Sequence, residues 1–530
     1  MKRKLIRNKK MRYGSVSVAL TVLVILVAIL VNMLATAVTE RYSLYTSMVG
    51  KFAFDVTEDC YDVLDRAFKN AKNATGADPH VTLLFCDTEA NVKAVDSTNF
   101  YLYQTAMQLD EHFDAFEVKF HDVFANPKPI KDYLTQTNPL TGEEIDVSIY
   151  ADSVIVISED YHRVYNASDF YVYDTESSEA WAYAGEKKLA AAIMSAMSKT
   201  ERVACLLNNH GEIFYDYELL TLLDEAGYTV GYIDLYKDEI PENCDLLISF
   251  NPSTDLVTTA EMSEKSEVDI LENFLSEDGN SFLVFFSNNT PTLPNFERYL
   301  KEWGVQSDYA KNSNGVSYRY TVQDPGKSLT SDNTTVYGVA DERVASRYGN
   351  LIGEDHEFVI FRSATSFSVS NEGYLDNKDG TYRNASGTRT MYPLYRTSDT
   401  AEAWVGGRMV AGGGSILASV TEQTTADGGR SYVGAFSSVQ FATTRYLRSA
   451  VYHNTDVLLR LISEFAATEQ NGERVPHLTT EGLSVKPFLV QDISTVTTAQ
   501  ILRWTLTLAL IPAVIFSATG VVILVRRRRA

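Results

Sequence analysis

The chain is poor in cysteine, with four in 530 residues, so a fold built on disulfides is excluded. Basic charge is scarce: 47 Lys and Arg face 69 Asp and Glu, a formal net charge of −22. Nucleic acid rewards a basic surface, and this balance argues against it as a partner. Long uncharged runs number only two, and the mean hydropathy is −0.14, which argues against a polytopic transporter. Complete phosphate-binding loops are missing. Gly326-Lys327-Ser328 supplies the last three residues of one, but Thr321 stands where its first Gly belongs. His and Cys at metal-ligand spacing are missing too, and no metal or cofactor is expected. Disorder is excluded by 45% hydrophobic and 11% aromatic residues.

What is present is unevenly placed. Residues 1–14 carry seven Lys or Arg and no acid, and residues 526–529 are four consecutive Arg. Between these basic tips lie 36 basic and 69 acidic residues, a body of net charge −33. Each tip abuts an uncharged run, 15–37 and 505–525. As a helix the first reaches about 34 Å, enough for a hydrocarbon core of about 30 Å. Pro512 and Gly520 in the second are tolerated in membrane helices. Basic residues mark the cytoplasmic side of a span. Both tips then lie inside, and the body between the spans lies outside the cytoplasm. A cleaved signal peptide ending at Ala35-Thr36-Ala37 is the alternative for the first run, whose length favours an uncleaved anchor.

The expected organisation is a basic tip (1–14), a span (15–37), an exported α/β domain (38–198), and a doubly wound α/β domain (199–304, continued by 401–470). A β- or loop-rich insertion (305–400), a linker (471–502), a second span (503–525) and a basic tip (526–530) complete it. Strands are predicted at 81–85, 116–120, 154–157, 202–207, 230–234, 246–250, 282–286, 415–420 and 432–436, from short apolar or alternating runs. Helices are predicted near 55–75, 101–113, 129–135, 184–198, 215–226, 260–275 and 455–466. Their alternation implies a mainly parallel sheet. The segment 305–400 is rich in Tyr, Ser, Thr, Asn and Gly.

Candidate chemistry centres on His210-Gly211-Glu212, a polar turn between a predicted strand and helix. Ligands of open α/β sheets bind at such strand ends. No partner for catalysis stands nearby in sequence, so the turn is read as a cap that lines a small groove, a ligand-binding rather than a catalytic place. Glu354-Asp355-His356-Glu357 reads as an exposed charged loop, and Cys60, Cys86, Cys205 and Cys244 as buried thiols.

A series of short motifs resembles the auxiliary-component family of uncharacterised ABC transport systems, named for its gliding-motility member. Met11-Arg12-Tyr13-Gly14-Ser15 and Asn32 are similar to the start of its first helix. Phe54-Asp55-Val56-Thr57-Glu58 with Tyr61 resembles its aromatic-Asp-Leu-Thr motif. Gly185-Glu186-Lys187-Lys188-Leu189 is similar to its Gly-Glu helix, and His210-Gly211-Glu212 to its Gly-His-Gly-Glu turn, with Asn209 in place of the first Gly. Ile240-Pro241, Asp245-Leu246-Leu247-Ile248, Lys486-Pro487, Pro512, Gly520 and the terminal Arg run follow in the same order. The segment 305–400 departs from the pattern. The resemblance implies amidotransferase-like and thioredoxin-like sheets without their catalytic Cys. It implies a non-enzymatic accessory subunit with a separate ATPase and a polytopic permease as partners. An anchored receptor for a glycan or peptide, and an anchored hydrolase, are the alternatives.

Overall fold

The computed structural model describes residues 53–488, apart from 139, 142, 160, 174–178, 199–201, 213–215, 260–264, 312–314, 353–357, 450 and 471–472, together with 525–526. The chain divides after Asp55 into two units; the first is described only at 53–55, and all the described helices and strands belong to the second. No helix among the described residues is long and apolar enough to cross a membrane. The expected spans, 15–37 and 503–525, lie outside those residues but for Val525, as does the acidic cluster 354–357.

The protein is a mixed α/β structure with several sheets and a β-rich region. Helix α1 (Glu58–Thr75) starts at Thr57, whose hydroxyl accepts the Cys60 amide, and ends at Gly76 with φ +71°. Strand β1 (Val81–Phe85), helix α2 (Phe100–His112) and strand β2 (Phe116–Phe120) follow, then β3 (Ser153–Ser158) and β4 (Tyr161–Asn166). These strands form one sheet in the order β2-β1-β3-β4. Only β1 and β2 are parallel; β3 and β4 run antiparallel, so the expectation of a mainly parallel sheet fails here. A tight hairpin at Glu159, with φ +48°, joins β3 to β4. It lacks the Gly or Asn by which such a turn is read in sequence. The helix expected at 129–135 is absent as well: Lys131–Tyr133 is a single 3₁₀ turn and Thr135–Thr137 pairs with Glu144–Asp146. Seven residues cannot sustain a helix alone, and the β-branched Thr135 and Thr137 suit an extended chain.

Helix α3 (Gly185–Ser198) leads into the larger sheet through β5 (Arg202–Leu207), α4 (Tyr217–Glu225), β6 (Tyr228–Ile233), β7 (Cys244–Phe250), α5 (Glu267–Phe274), β8 (Ser281–Phe285) and α6 (Pro294–Glu302). Later come β9 (Arg389–Arg396), β10 (Ile416–Thr424), β11 (Arg430–Phe436) and α7 (Asn454–Phe465). The sheet order is β6-β5-β7-β8-β11-β10-β9, and the first five strands are parallel. Strands from 305–400 extend its antiparallel side, so this segment is partly continuous with the sheet.

Alternation along β5 explains why helices cover both faces. Ala204 and Leu206 pack with Leu219, Leu222 and Leu223 of α4 and with α7. Val203, Cys205 and Leu207 pack with Leu271 and Phe274 of α5 and with α6. In α7 the spacing of Val457, Leu458, Leu461, Ile462 and Phe465 makes one apolar stripe, each residue buried and contributing about 1.5–3 kcal/mol. Asn454 at its start is also buried and satisfied, donating to the carbonyls of Ile360 (3.0 Å) and Phe441 (3.1 Å).

Candidate functional site

His210, Gly211 and Glu212 follow β5 at its carboxyl end, beside the loop that leaves β7. Strand order reverses direction between β5 and β7, which is where open α/β sheets form a crevice. Here His210, Glu212 and Glu267 lie buried against one another. The His210 ring is 2% exposed, and the Glu212 and Glu267 side chains are fully buried. His210 Nε2 lies 3.0 Å from Glu267 Oε2, and Nδ1 lies 3.4 Å from Glu212 Oε1. Glu212 also accepts the His210 amide (2.8 Å) and the Ser249 hydroxyl (3.3 Å). Glu267 accepts Asn209 Nδ2 (2.6 Å) and the Val257 amide (2.7 Å). The His210 carbonyl accepts the amides of Ser253 and Thr254, both at 2.8 Å.

Electrostatics follow from this enclosure. Burial alone would lower the His210 pKa, but the hydrogen bonds and charges of Glu212 and Glu267 outweigh it and raise it to about 9. Burial would raise the Glu267 carboxyl, yet bonds from His210, Val257 and Asn209 hold it below the usual range. The cluster is therefore an imidazolium clamped between two carboxylates. Gly211 adopts φ +67°, and a Cβ there would lie 2.3 Å from Ser253 Oγ. The positive φ calls for glycine, and an added Cβ would also force the Ser253 hydroxyl to move. The three predicted residues are thus brought together, and Glu267, Asn209 and Ser249 join them unforeseen. Glu267 stands at the first position of α5 after the cap Ser266, a pattern that in sequence announces only a helix start.

The neighbouring strand ends are closed in the same way. Asn251 Oδ1 accepts the hydroxyls of Ser287 (2.9 Å) and Thr290 (2.6 Å). Asp255 accepts the Asn295 and Phe296 amides at 2.8 and 2.9 Å, capping α6, whose own N-cap Leu293 cannot. Arg319, from the β-rich segment, roofs this edge by bonding the Thr290 and Pro291 carbonyls and Glu297. Asp324 Oδ1 accepts the amides of Gly326 and Lys327, both at 3.0 Å, so those N–H groups are committed within the chain. All four cysteines are buried and free.

A second cluster lies at the start of α3. Glu186 is 3% exposed. It accepts the Thr57 amide (2.7 Å) and the Thr57 hydroxyl, and pairs with Lys486. Lys486–Pro487 forms a short antiparallel pair with Ala180–Tyr183, and the Phe488 amide donates to the Trp181 carbonyl (2.9 Å). The Phe488 ring packs on Tyr101, with centroids 5.3 Å apart, and on Tyr171 at 6.2 Å. The beginning and end of the described body thus meet on one carboxylate. The neighbours of Glu186 are equally committed. A Cβ on Gly185 would fall 2.0 Å from the Tyr183 ring, while Lys187 and Lys188 pair with Glu225 and Asp224 of α4.

No family model and no curated protein matches the chain. Four chains of solved structures match it. One belongs to the structure of PurLQS from Thermotoga maritima, at 11% identity over 49% of this chain and 97% of that one. With a TM-score of 0.26, that likeness carries no argument about fold or activity.

Proposed function

We propose that this protein is a membrane-anchored, non-enzymatic accessory subunit of a bacterial ABC transport system, with its body outside the cytoplasm. A separate permease and ATPase are its partners in this reading. One observation carries it: Thr57 and Lys486 meet on Glu186, so both ends of the body leave from one place. An apolar run of spanning length lies beyond each end, 15–37 and 505–525. Residues from three of the resembling motifs make that junction, Thr57, Glu186 and Lys486. The strand order β6-β5-β7-β8-β11, with helices on both faces, supports the doubly wound, amidotransferase-like description. The order β2-β1-β3-β4 supports the thioredoxin-like one. A non-enzymatic role is supported by the switch-point crevice, where His210 is paired with Glu212 and Glu267.

Purification of the native protein from its own membranes in mild detergent tests this reading. Recovery of an ABC ATPase and a polytopic permease in defined stoichiometry is expected. A clean monomer, with neither present, refutes it.

A second reading, an anchored envelope receptor, is favoured by a different observation. An open cleft lies between α1, α3 and α7, away from the His210 cluster.

A further inference from the structure

Three segments meet at the end of the first sheet where β1 and β2 finish: 86–99 after β1, 121–130 after β2, and 147–152 leading into β3, which runs antiparallel beside β1. Each holds one large apolar side chain out in solvent: Val95 at 63% exposure, Phe124 at 77% and Tyr150 at 56%. Phe124 is the most exposed large apolar side chain among the described residues. A single exposed apolar residue is ordinary, whereas three on adjoining segments at one end of a sheet mark an interaction surface.

The segments are braced from within. Asp122 Oδ1 accepts the amides of Phe124 (3.0 Å) and Ala125 (2.9 Å), and the neighbouring Val123 is buried with Cys86, Ile130 and Ile155. The turn is thus pinned through Val123 while Phe124 stands clear of it. The buried Asn99 gives Nδ2 to the Asp152 carbonyl (3.1 Å), which ties the first segment to the third. The Tyr150 amide donates to Ser153 Oγ (3.0 Å). Apolar groups held out by such bonds lose little freedom when they are covered.

The described body ends at the same place. Phe488 packs on Tyr101, in the first turn of α2, and on Tyr171, whose hydroxyl donates to the Thr98 carbonyl (2.8 Å). Beyond it, residues 489–504 lead to the uncharged run 505–525. A body tethered to a bilayer from this end keeps Val95, Phe124 and Tyr150 at high effective concentration near lipid, so modest contacts suffice. The three segments carry five acids against Lys93 and Lys128, which disfavours anionic headgroups. Aromatic and aliphatic side chains suit the interface of a zwitterionic leaflet.

We propose that this end of the first sheet rests on a zwitterionic lipid surface, with Val95, Phe124 and Tyr150 inserted at its interface. The inference rests on the membrane-anchored reading and is independent of the transport partners.

The experiment places a bimane label on Val95→Cys, Phe124→Cys or Tyr150→Cys, one at a time, in the full chain. The four native thiols are buried and stay unlabelled. Leu375→Cys is the control, at a position 67% exposed on a hairpin at the far edge of the larger sheet. Each chain is assembled into phosphatidylcholine nanodiscs with and without bromine on the acyl chains near the headgroup. Bromine should quench the labels at 95, 124 and 150 several-fold more than the label at 375. Phe124→Asp, in the chain labelled at 95, should lower that quenching at least twofold, and its exposed position spares the fold. Equal quenching at 375 and at the three positions, whether low or high, overturns the proposal. So does unchanged quenching at 95 in Phe124→Asp. In those cases the chain still elutes with the discs and the anchored reading stands, whereas a chain that does not enter the discs overturns both.

Discussion

Deprotonating His210 tests the account of the switch-point cluster most directly. Its folded pKa is raised, from an ordinary value of 6.5 to about 9, by two buried carboxylates. A raised pKa means that the folded state binds the proton more tightly than the unfolded chain. The stabilisation is then fully present below pH 6.5 and is lost as pH rises through about 9. At 1.36 kcal/mol per pKa unit the full linkage is about 3 kcal/mol, falling to about 2 kcal/mol at pH 7.5 and close to zero by pH 9.5. Other groups titrate over this range, so the measurement must be a difference. Urea unfolding of the full chain in dodecylmaltoside, read by its four Trp residues, is compared between wild type and His210→Gln at pH 6, 7.5 and 9.5. The wild-type advantage should shrink by about 3 kcal/mol between the first pH and the last. An advantage that stays constant with pH would show that His210 is neutral in the fold, and the clamped imidazolium would be wrong.

Gly211→Ala should destabilise the fold by about 1–3 kcal/mol, through both its positive φ and the clash with Ser253. Adding Ser253→Gly should recover only the steric part, as measured by the same urea unfolding. Glu186→Ala removes the carboxylate that Lys486 and the Thr57 amide share. Limited proteolysis should then cut near 486, a site protected in the wild type. Arg319→Leu leaves Glu297 buried and unpaired, at a cost of about 3–5 kcal/mol, and Glu297→Leu in the same chain should restore much of it. The four thiols should stay silent to Ellman's reagent at pH 8 until the chain unfolds, because all are buried; burial pushes Cys86 up to about 12. Rapid labelling of the folded protein would contradict that.

Most of the parallel core was legible in the sequence because its signals are local. Continuous apolar runs mark 81–85 and 202–207 as strands, and both are observed at those bounds. The Ala-rich periodicity of 184–198 marks a helix, observed as Gly185–Ser198. What stayed hidden depends on distant partners. The hairpin at Glu159 carries no Gly or Asn to announce its positive φ. The split of 305–400 between the main sheet and small separate sheets is decided by pairings such as Arg396 with Ile416, to which no short window is sensitive. The candidate site was half visible. His210-Gly211-Glu212 stands out as a polar turn, but its character is set by Glu267, which lies 57 residues further on. With that partner the His210 ring is held between two buried carboxylates. Glu186 gave still less away, since an acid in the first turn of a helix ordinarily complements the dipole. Here it gathers two remote segments instead.

The junction on Glu186 changes what kind of object the body is to the rest of the chain. Seen from outside, everything between Thr57 and Lys486 enters and leaves through a gap one side chain wide. It is an insertion between two neighbouring points rather than a link in series. Tension drawing the two ends apart must open the Glu186 contacts before it reaches any strand of either sheet. Tension on both ends together passes through the junction and leaves the sheets unloaded. The contents of the loop can therefore change in length while the spacing offered to the flanking chain stays the same.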